Sequence, residues 1–167
     1  ESAEAATGDG VERALDGVPF HEIDAFLVVA GLGGGTGSGG APTISQRIRD
    51  MYAEPVYGLG VLPSTDEGGR PSLNAARSLQ TFADSVDNLL LFDNEVWQQS
   101  GDSLGSGYDR ANEELAKRVV TLLSPGEVDG SMVAETAMDS SDIKRTLKTG
   151  GVSTIAYADA RLEAVNR

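Results

Sequence analysis

The sequence predicts an α/β protein with a Rossmann-like parallel sheet flanked by helices. Short apolar runs of the kind that form buried parallel strands recur along the chain, at residues 24–30, 55–62, 88–92 and 152–158. Between these runs, apolar residues return every three or four positions, as they do on one face of an amphipathic helix. Because strands and helices alternate, we expect parallel strands with helices on the faces of the sheet.

Four helices are expected from the apolar stripes. They are a helix through Ile44, Ile48 and Tyr52, a second from about Pro71, a long third helix from about Tyr108, and a short one over residues 139–147.

Composition narrows the class of protein. The 167 residues include 13 Lys and Arg against 26 Asp and Glu, for a net charge of −13, with one His and no Cys. Such a charge repels phosphate backbones, so no nucleic-acid partner is expected. Without Cys there is no disulfide scaffold, and we expect no metal cluster held by the protein. No apolar run approaches the roughly 18 residues of a membrane span, so a cytoplasmic protein without direct membrane insertion is expected.

The most informative segment is the glycine-rich run at residues 33–40, which follows the first strand and precedes a helix. Consecutive amides without Cβ atoms can close on a phosphate, and the helix N-terminus adds its dipole. The binding candidates are Gly33, Gly34, Gly35, Thr36, Gly37 and Ser38. The run lacks the Lys of a Walker A motif, and Leu62 and Pro63 stand where a dinucleotide fold has an acidic residue. The alternative is a flexible linker.

Three further residues suit a purine base. Asn94 follows the third strand, and its amide offers both a donor and an acceptor; the alternative is a helix N-cap. Tyr108 and Asn112 are four residues apart and share a helix face, so a stacking ring lies beside an amide. The spacing of Ser106 and Asp109 resembles a capping box and predicts Tyr108 in the first helical turn. A core tyrosine beside a surface amide is the alternative.

Carboxylates supply the remaining candidates. Glu67, in a loop before the second helix, is placed to accept hydrogen bonds from ribose hydroxyls, or it is simply solvated. Asp139 and Asp142 are expected at the N-cap and third position of the short helix, where capping alone explains both. A catalytic role is the alternative for this pair.

The string GGGTGSG after an apolar strand resembles the signature of the tubulin/FtsZ superfamily of GTPases. The wider segments AGLGGGTGSGGAP, YAEPVYGLGVLP, VDNLLLFDN and GGVSTIAYA are most similar to its archaeal CetZ (tubulin-like) branch. The resemblance implies binding of GTP and GDP, with Mg²⁺ held through the nucleotide phosphates. It also implies head-to-tail self-assembly into a cytoskeletal filament that controls cell shape.

The resemblance also implies residue roles. Asn94, Tyr108 and Asn112 contact the base, Glu67 the ribose, and the glycine-rich run the phosphates. Asp139 and Asp142 orient the water that attacks the nucleotide of the next subunit, so hydrolysis is completed across the interface. This chain has Ala137 where the family motif has Asn, which keeps a filament protein with little hydrolysis as an alternative. A Rossmann-type dinucleotide enzyme is the second alternative.

The resemblance predicts how the chain is divided. Residues 1–148 are expected to be the C-terminal part of the GTP-binding domain, with a central helix at about 107–124 and a catalytic loop at about 135–142. Residues 149–167 are expected to begin a C-terminal domain. Because residue 1 is Glu and little chain follows the last predicted strand, we expect both ends to continue in a larger protein.

Overall fold

The structure is a computed structural model that describes residues 23–97, 104–123 and 140–158, together with residues 10, 11, 13 and 15. Within these residues a four-stranded sheet contains β1 (Phe26–Gly31), β2 (Val56–Leu62), β3 (Asn88–Asp93) and β4 (Val152–Thr154), in that order across the sheet. All neighbouring strands are parallel. The predicted parallel α/β architecture is therefore confirmed.

Helices cover both faces of the sheet. The helices are α1 (Gly35–Met51), α2 (Gly69–Asp84), α3 (Leu104–Leu123) and α4 (Ser140–Leu147). On one face, α1 and α2 pack on the strands through a buried cluster that includes Ile48, Phe82 and Leu89. On the other face, α3 and α4 contribute to a second cluster that includes Leu59 and Leu90. The alternation of side chains along each strand divides the core into these two halves.

Two glycines in β2 make room for this packing. A Cβ at Gly58 would lie 2.9 Å from the ring of Phe82, and one at Gly60 would lie 3.0 Å from Leu32. These glycines therefore let the buried side chains of one face approach the strand backbone.

The first helix begins earlier than predicted. α1 starts at Gly35, so most of the glycine-rich run is helical rather than loop, and Pro42 lies inside the helix. Glycine disfavours a helix by about 1 kcal/mol relative to alanine. Here the cost is offset because Ala41 and Ile48 are buried against the sheet.

The third helix also begins earlier than predicted. α3 starts at Leu104, so Tyr108 lies beyond its first turn and Ser106 lies inside the helix. The capping box predicted from Ser106 and Asp109 is therefore wrong. The guanidinium of Arg110, in the second turn of the helix, donates to the carbonyl of Trp97 at 3.2 Å and joins α3 to the segment after β3.

The last strand is shorter than predicted and follows a tight turn. β4 has three residues, whereas residues 152–158 were expected in a strand. The turn before it contains Gly150 and Gly151 with φ of 73° and 81°, a region that glycine adopts at little cost. The buried amide of Asn88 donates to the carbonyls of Leu147 and Gly150, at 3.3 and 3.1 Å. The division predicted after residue 148 falls at this turn and stays a prediction.

The described helices include none with the length and apolar character needed to cross a membrane.

Candidate functional site

Three strands end together at one edge of the sheet, which we call the carboxyl edge. Gly31 pairs with Val61, and Leu62 pairs with Asp93, so the segments that follow β1, β2 and β3 leave the sheet side by side. Open α/β sheets bind their ligands at this edge. It therefore carries the predicted phosphate, ribose and base residues.

The phosphate candidates form the start of α1. Gly34 is its N-cap, with φ −87° and ψ 149°, and no side chain caps the helix there. The first amides of a helix have no acceptor within the helix and lie at the positive end of its dipole. The amides of Gly35, Thr36 and Gly37 are therefore suited to an anion. Ser38 differs, because its N–H already donates to Gly34 at 3.0 Å and its hydroxyl to Gly35 at 3.4 Å.

The glycines of this segment have two different roles. A Cβ at Gly37 would clash with the carbonyl oxygen of Gly31, and a Cβ at Gly33 would lie 3.0 Å from Pro63. Packing explains these two. A Cβ at Gly34 or Gly35 meets nothing within 4 Å. Their bare backbone therefore leaves space at the helix start, which fits a phosphate group that approaches the amides closely.

A side chain that the sequence analysis missed holds the glycine segment in place. The amide of Asn74, on α2, donates to the carbonyl of Gly33 at 2.9 Å. The two residues are 41 positions apart, so no local pattern signals the contact.

Glu67 lies in a 3-10 turn, Thr65–Glu67, after β2. The turn has a complete capping box: the side chain of buried Ser64 accepts from the amide of Glu67, and the carboxylate of Glu67 accepts from the amide of Ser64 at 2.9 Å. The spacing Ser-x-x-Glu is visible in the sequence and indicates this turn.

Glu67 and Tyr108 come together from different elements. The carboxylate of Glu67 is near enough to the phenol of Tyr108 to affect its pKa. Burial raises the pKa of Tyr108 above its usual value, and the nearby carboxylate of Glu67 raises it further. Tyr108 therefore stays neutral across the physiological range. Asn112 lies on the same face one turn later and is exposed.

Asn94 directly follows β3, beside this turn. Its N–H donates to the carbonyl of Leu62 at 3.3 Å, and its carbonyl accepts from Trp97 at 3.2 Å. Its side-chain amide makes no hydrogen bond to any residue in the described ranges, so the amide remains able to recognise a base.

Glu95 is a second residue that the sequence analysis missed. Its carboxylate accepts the N–H of Thr65 at 3.1 Å, and its own N–H donates to the carboxylate of Asp93 at 2.9 Å. It therefore links the segment after β3 to the turn that carries Glu67.

Asp142 lies at the opposite edge of the sheet, which we call the amino edge. It is exposed and is the third residue of α4, as predicted. The helix is held at this edge by an ion pair between Lys144 and Asp24 at 2.7 Å. The six residues of β1 span about 20 Å, so Asp142 is remote from Tyr108. Asp139 and Ala137 lie outside the described residues.

No group of three His, Cys, Asp or Glu side chains suited to a metal ion occurs among the described residues.

Comparisons with known proteins identify the family. Residues 2–102 match the Tubulin/FtsZ family GTPase domain, and residues 101–167 match the C-terminal domain of tubulin-like CetZ. The tubulin-like protein CetZ1 of Haloferax volcanii is 57% identical over 156 residues, which are 93% of this chain and 40% of CetZ1. The chain thus spans about 40% of the length of this relative.

Solved structures agree. The GDP-bound CetZ1 monomer of Haloferax volcanii superposes with a TM-score of 0.77 at 52% identity, covering 89% of this chain and 42% of that one. The GTPγS-bound protofilament of CetZ2 from the same organism gives a TM-score of 0.77 at 42% identity, with the same coverage. The chain therefore belongs to the tubulin/FtsZ family, in which it is most similar to the tubulin-like CetZ branch.

Proposed function

We propose that this chain supplies the second part of the GTP-binding domain of a filament-forming cytoskeletal GTPase. One observation carries the proposal: the uncapped start of α1 and the base candidates share the carboxyl edge, whereas Asp142 lies a strand length away. The full-length protein that contains this sequence would supply the remaining parts of the domain.

Phosphates would bind at the start of α1. The amides of Gly35, Thr36 and Gly37 donate there, and Gly34 leaves space for close approach. In a chain of net charge −13, such local donors are needed to hold an anion against general repulsion. Mg²⁺ would be held through the phosphates, where it neutralises part of their charge.

The base would lie between Tyr108 and the amides of Asn94 and Asn112. A neutral phenol ring offers a stacking face, and a side-chain amide can pair with the edge of guanine, which presents both donors and acceptors. The family resemblance assigns Glu67, next to Tyr108, to the ribose.

Hydrolysis would be completed across a subunit interface. Asp139 and Asp142 of one subunit would orient the water beside the terminal phosphate of the next. The water oxygen bonds to phosphorus, the bond to the bridging oxygen breaks, and GDP and phosphate leave. The distance of Asp142 from the carboxyl edge of its own chain supports this arrangement. It would also keep the carboxylate of Asp142 away from the triphosphate until subunits meet.

Self-assembly would be head-to-tail, with the amino edge of one subunit on the carboxyl edge of the next. The similarity to CetZ2, whose structure is a GTPγS-bound protofilament, supports this proposal. The cellular role would be a cytoplasmic filament that controls cell shape, without nucleic acid as a partner.

One alternative is retained. Ala137 stands at the position of the family Asn, which favours a nucleotide-binding filament with slow hydrolysis. The dinucleotide-enzyme alternative has no comparable support, since β2 ends at Leu62 and is followed by Pro63 rather than an acidic residue.

Light scattering by the full-length protein tests the proposal. We expect a rise with GTP or GTPγS, decay with GTP as phosphate is released, and little rise with GDP. GTP should raise the melting temperature and NAD should not. If NAD raised the melting temperature more than GTP, the assignment of GTP as the ligand would be wrong. If light scattering did not depend on the nucleotide, the proposed filament would be wrong. The 167-residue chain alone is expected to bind GTP more weakly than micromolar.

A further inference from the structure

Three cationic side chains gather at the amino edge of the sheet, on α4 and just after it. Lys144, Arg145 and Lys148 line a cavity of about 590 Å³ there, together with Asp87. Lys144 is paired with Asp24 at 2.7 Å. The side chains of Arg145 and Lys148 are exposed and make no hydrogen bond or ion pair with any residue in the described ranges. Two cations are therefore available to an anionic group that approaches this edge.

Arg145 shares the exposed face of α4 with Asp142. Residues three positions apart on a helix project about 60° apart, with their Cβ atoms about 5–6 Å from each other. Asp142 and Arg145 are both exposed, whereas Ile143 and Leu147 pack into the buried cluster on the other side of the helix. A surface that meets Asp142 therefore also meets Arg145.

Contacts on the other sides of α4 hold this face outward. Leu147 is 7% exposed, and its carbonyl accepts from the buried amide of Asn88 at 3.3 Å. The ion pair between Lys144 and Asp24 joins the helix to the residues before β1. The exposed face is therefore fixed relative to the sheet.

Electrostatics explains why a cation is needed on this face. In the proposed arrangement, the carboxylate of Asp142 approaches a triphosphate, and like charges at close range oppose each other. A guanidinium that arrives with the carboxylate offsets this repulsion. Its planar fork donates two parallel hydrogen bonds to phosphate oxygens, and it stays protonated. During hydrolysis, negative charge is spread over the oxygens of the transferred phosphoryl group, where such a donor acts.

We propose that Arg145 is a catalytic residue that one subunit supplies to the nucleotide of the next. Its guanidinium contacts the terminal phosphate and stabilises the negative charge on the oxygens there, while Asp142 orients the water. The water oxygen bonds to phosphorus, the bond to the bridging oxygen breaks, and a proton of the water leaves with the products. Arg145 keeps its own protons. This inference rests on the proposed function, to which it adds a cationic group that acts across the interface.

Phosphate release from GTP by the full-length protein tests the role of Arg145. Release is divided by the amount of protein that sediments as filaments, so that turnover is separated from assembly. Arg145→Gln should lower turnover by about 10²-fold, the loss expected for one preorganised donor to a developing negative charge. Arg145→Lys should recover part of the loss, because it keeps the charge without the planar fork. Sedimentation with GTPγS should persist in both variants.

Lys148→Gln is the matched control. Lys148 is also exposed, also lines the cavity and also lacks a partner in the described ranges, but it lies six positions from Asp142. Six positions correspond to about 120° around a helix, so its side chain points away from the direction of Asp142. This variant should change turnover little.

Mixed filaments test whether Arg145 acts across the interface. Arg145→Gln and Asp142→Ala place their defects on the same edge of a subunit. If both residues act on the next subunit, no interface in an equal mixture is complete, and turnover should equal the average of the two variants. If Arg145 served the nucleotide of its own chain instead, some interfaces would combine an intact Arg145 with an intact Asp142. Recovery of turnover in the mixture would therefore overturn the inference.

The remaining outcomes separate the hypotheses. If Arg145→Gln needs more protein to assemble but keeps full turnover in the filaments, Arg145 is an assembly contact and the inference is wrong. If Lys148→Gln loses as much turnover as Arg145→Gln, the general charge of the edge matters and the assignment to Arg145 is wrong. If Arg145→Gln does not sediment, Arg145→Lys decides, and full turnover in that variant would contradict the bidentate contact. If the unaltered full-length protein neither assembles with GTP nor releases phosphate, the proposed function fails instead.

Discussion

The two edges of the sheet use carboxylates in different ways. At the carboxyl edge, Glu67, Asp93 and Glu95 each accept a main-chain N–H, at 2.9, 2.9 and 3.1 Å. At the amino edge, Asp24 and Asp87 pair with cationic side chains, at 2.7 Å to Lys144 and 3.6 Å to Arg49, and Asp87 also accepts the N–H of Val56 at 2.7 Å.

This difference suggests how a chain with a net negative charge could still bind an anion at one edge of its sheet. Near α1, the carboxylates are bound to amides that stabilise their charge and fix the loops. The exposed Asp142 stays on the other edge, where its charge does not oppose a triphosphate on the same chain. Under the proposed function, nucleotide binding and hydrolysis would be separated along the strands, and four substitutions test this separation.

The largest effect is expected at the amino edge. Asp142→Ala in the full-length protein should reduce GTP turnover by about 10²–10³-fold, the loss expected for a group that stabilises the reacting arrangement. Nucleotide affinity should not change, since Asp142 is remote from the carboxyl edge. Phosphate release and equilibrium binding measure the two quantities. Asp84→Ala, which removes an exposed acid from the same edge, is the control. Unchanged turnover would favour the alternative of a filament with slow hydrolysis.

The next effect concerns the scaffold beneath the phosphate site. Gly37→Ala should destabilise the 167-residue chain by about 2–3 kcal/mol, because the new Cβ clashes with the carbonyl of Gly31. Gly39→Ala is the matched control, since a Cβ there meets nothing within 4 Å and alanine favours the helix by about 0.5–1 kcal/mol. Urea denaturation distinguishes them. Equal stability of the two variants would contradict the close approach of α1 to β1.

A third substitution tests the helix that runs between the edges. The 20 residues of α3 span about 30 Å. Arg118, 7% exposed, lies 4.5 Å from the ring of Trp97, and donates to Glu114 at 2.8 Å and to the carbonyl of Ile155 at 3.2 Å.

Arg118→Met should lower the free energy of unfolding by about 2 kcal/mol, because a buried hydrogen-bonded charge and its stacking contact are lost. Lys117→Met removes another cation that pairs with Glu114, but at an exposed site, and should cost at most about 0.5 kcal/mol. If the two variants had the same denaturant midpoint, Arg118 would not be what holds α3 in place.

The smallest effect is confined to the carboxyl edge. Gly34→Ala should leave the stability of the chain within about 0.5 kcal/mol, because its φ of −87° suits alanine and its Cβ meets nothing. In the full-length protein it should weaken GTP binding about tenfold, since the methyl group occupies the space for the phosphate. Unchanged affinity would mean that phosphates do not approach this amide.

Local patterns predicted much of this fold. The strands were found because each is a short apolar run, and β2 and β3 agree with their predicted bounds to within one residue. The position of Asp142 in α4 was also predicted correctly. The starts of α1 and α3 were not predicted correctly. Glycine in a helix end costs free energy, and whether the helix forms there depends on contacts with residues distant in the sequence. The link from Ser64 to Glu67 was readable, since it joins residues three positions apart.

By itself, the sequence determined the alternation of strands and helices, the anion-suited glycine segment and the family. These depend on residues close together in the chain, whose periodicity and lack of side chains act locally. Tertiary structure alone decided that Asn74 holds Gly33, that Glu95 holds the turn at Thr65, and that Asp142 lies at the edge of the sheet opposite Asn94. Such pairings join residues about 30 or more positions apart, and only packing on a common sheet brings them together.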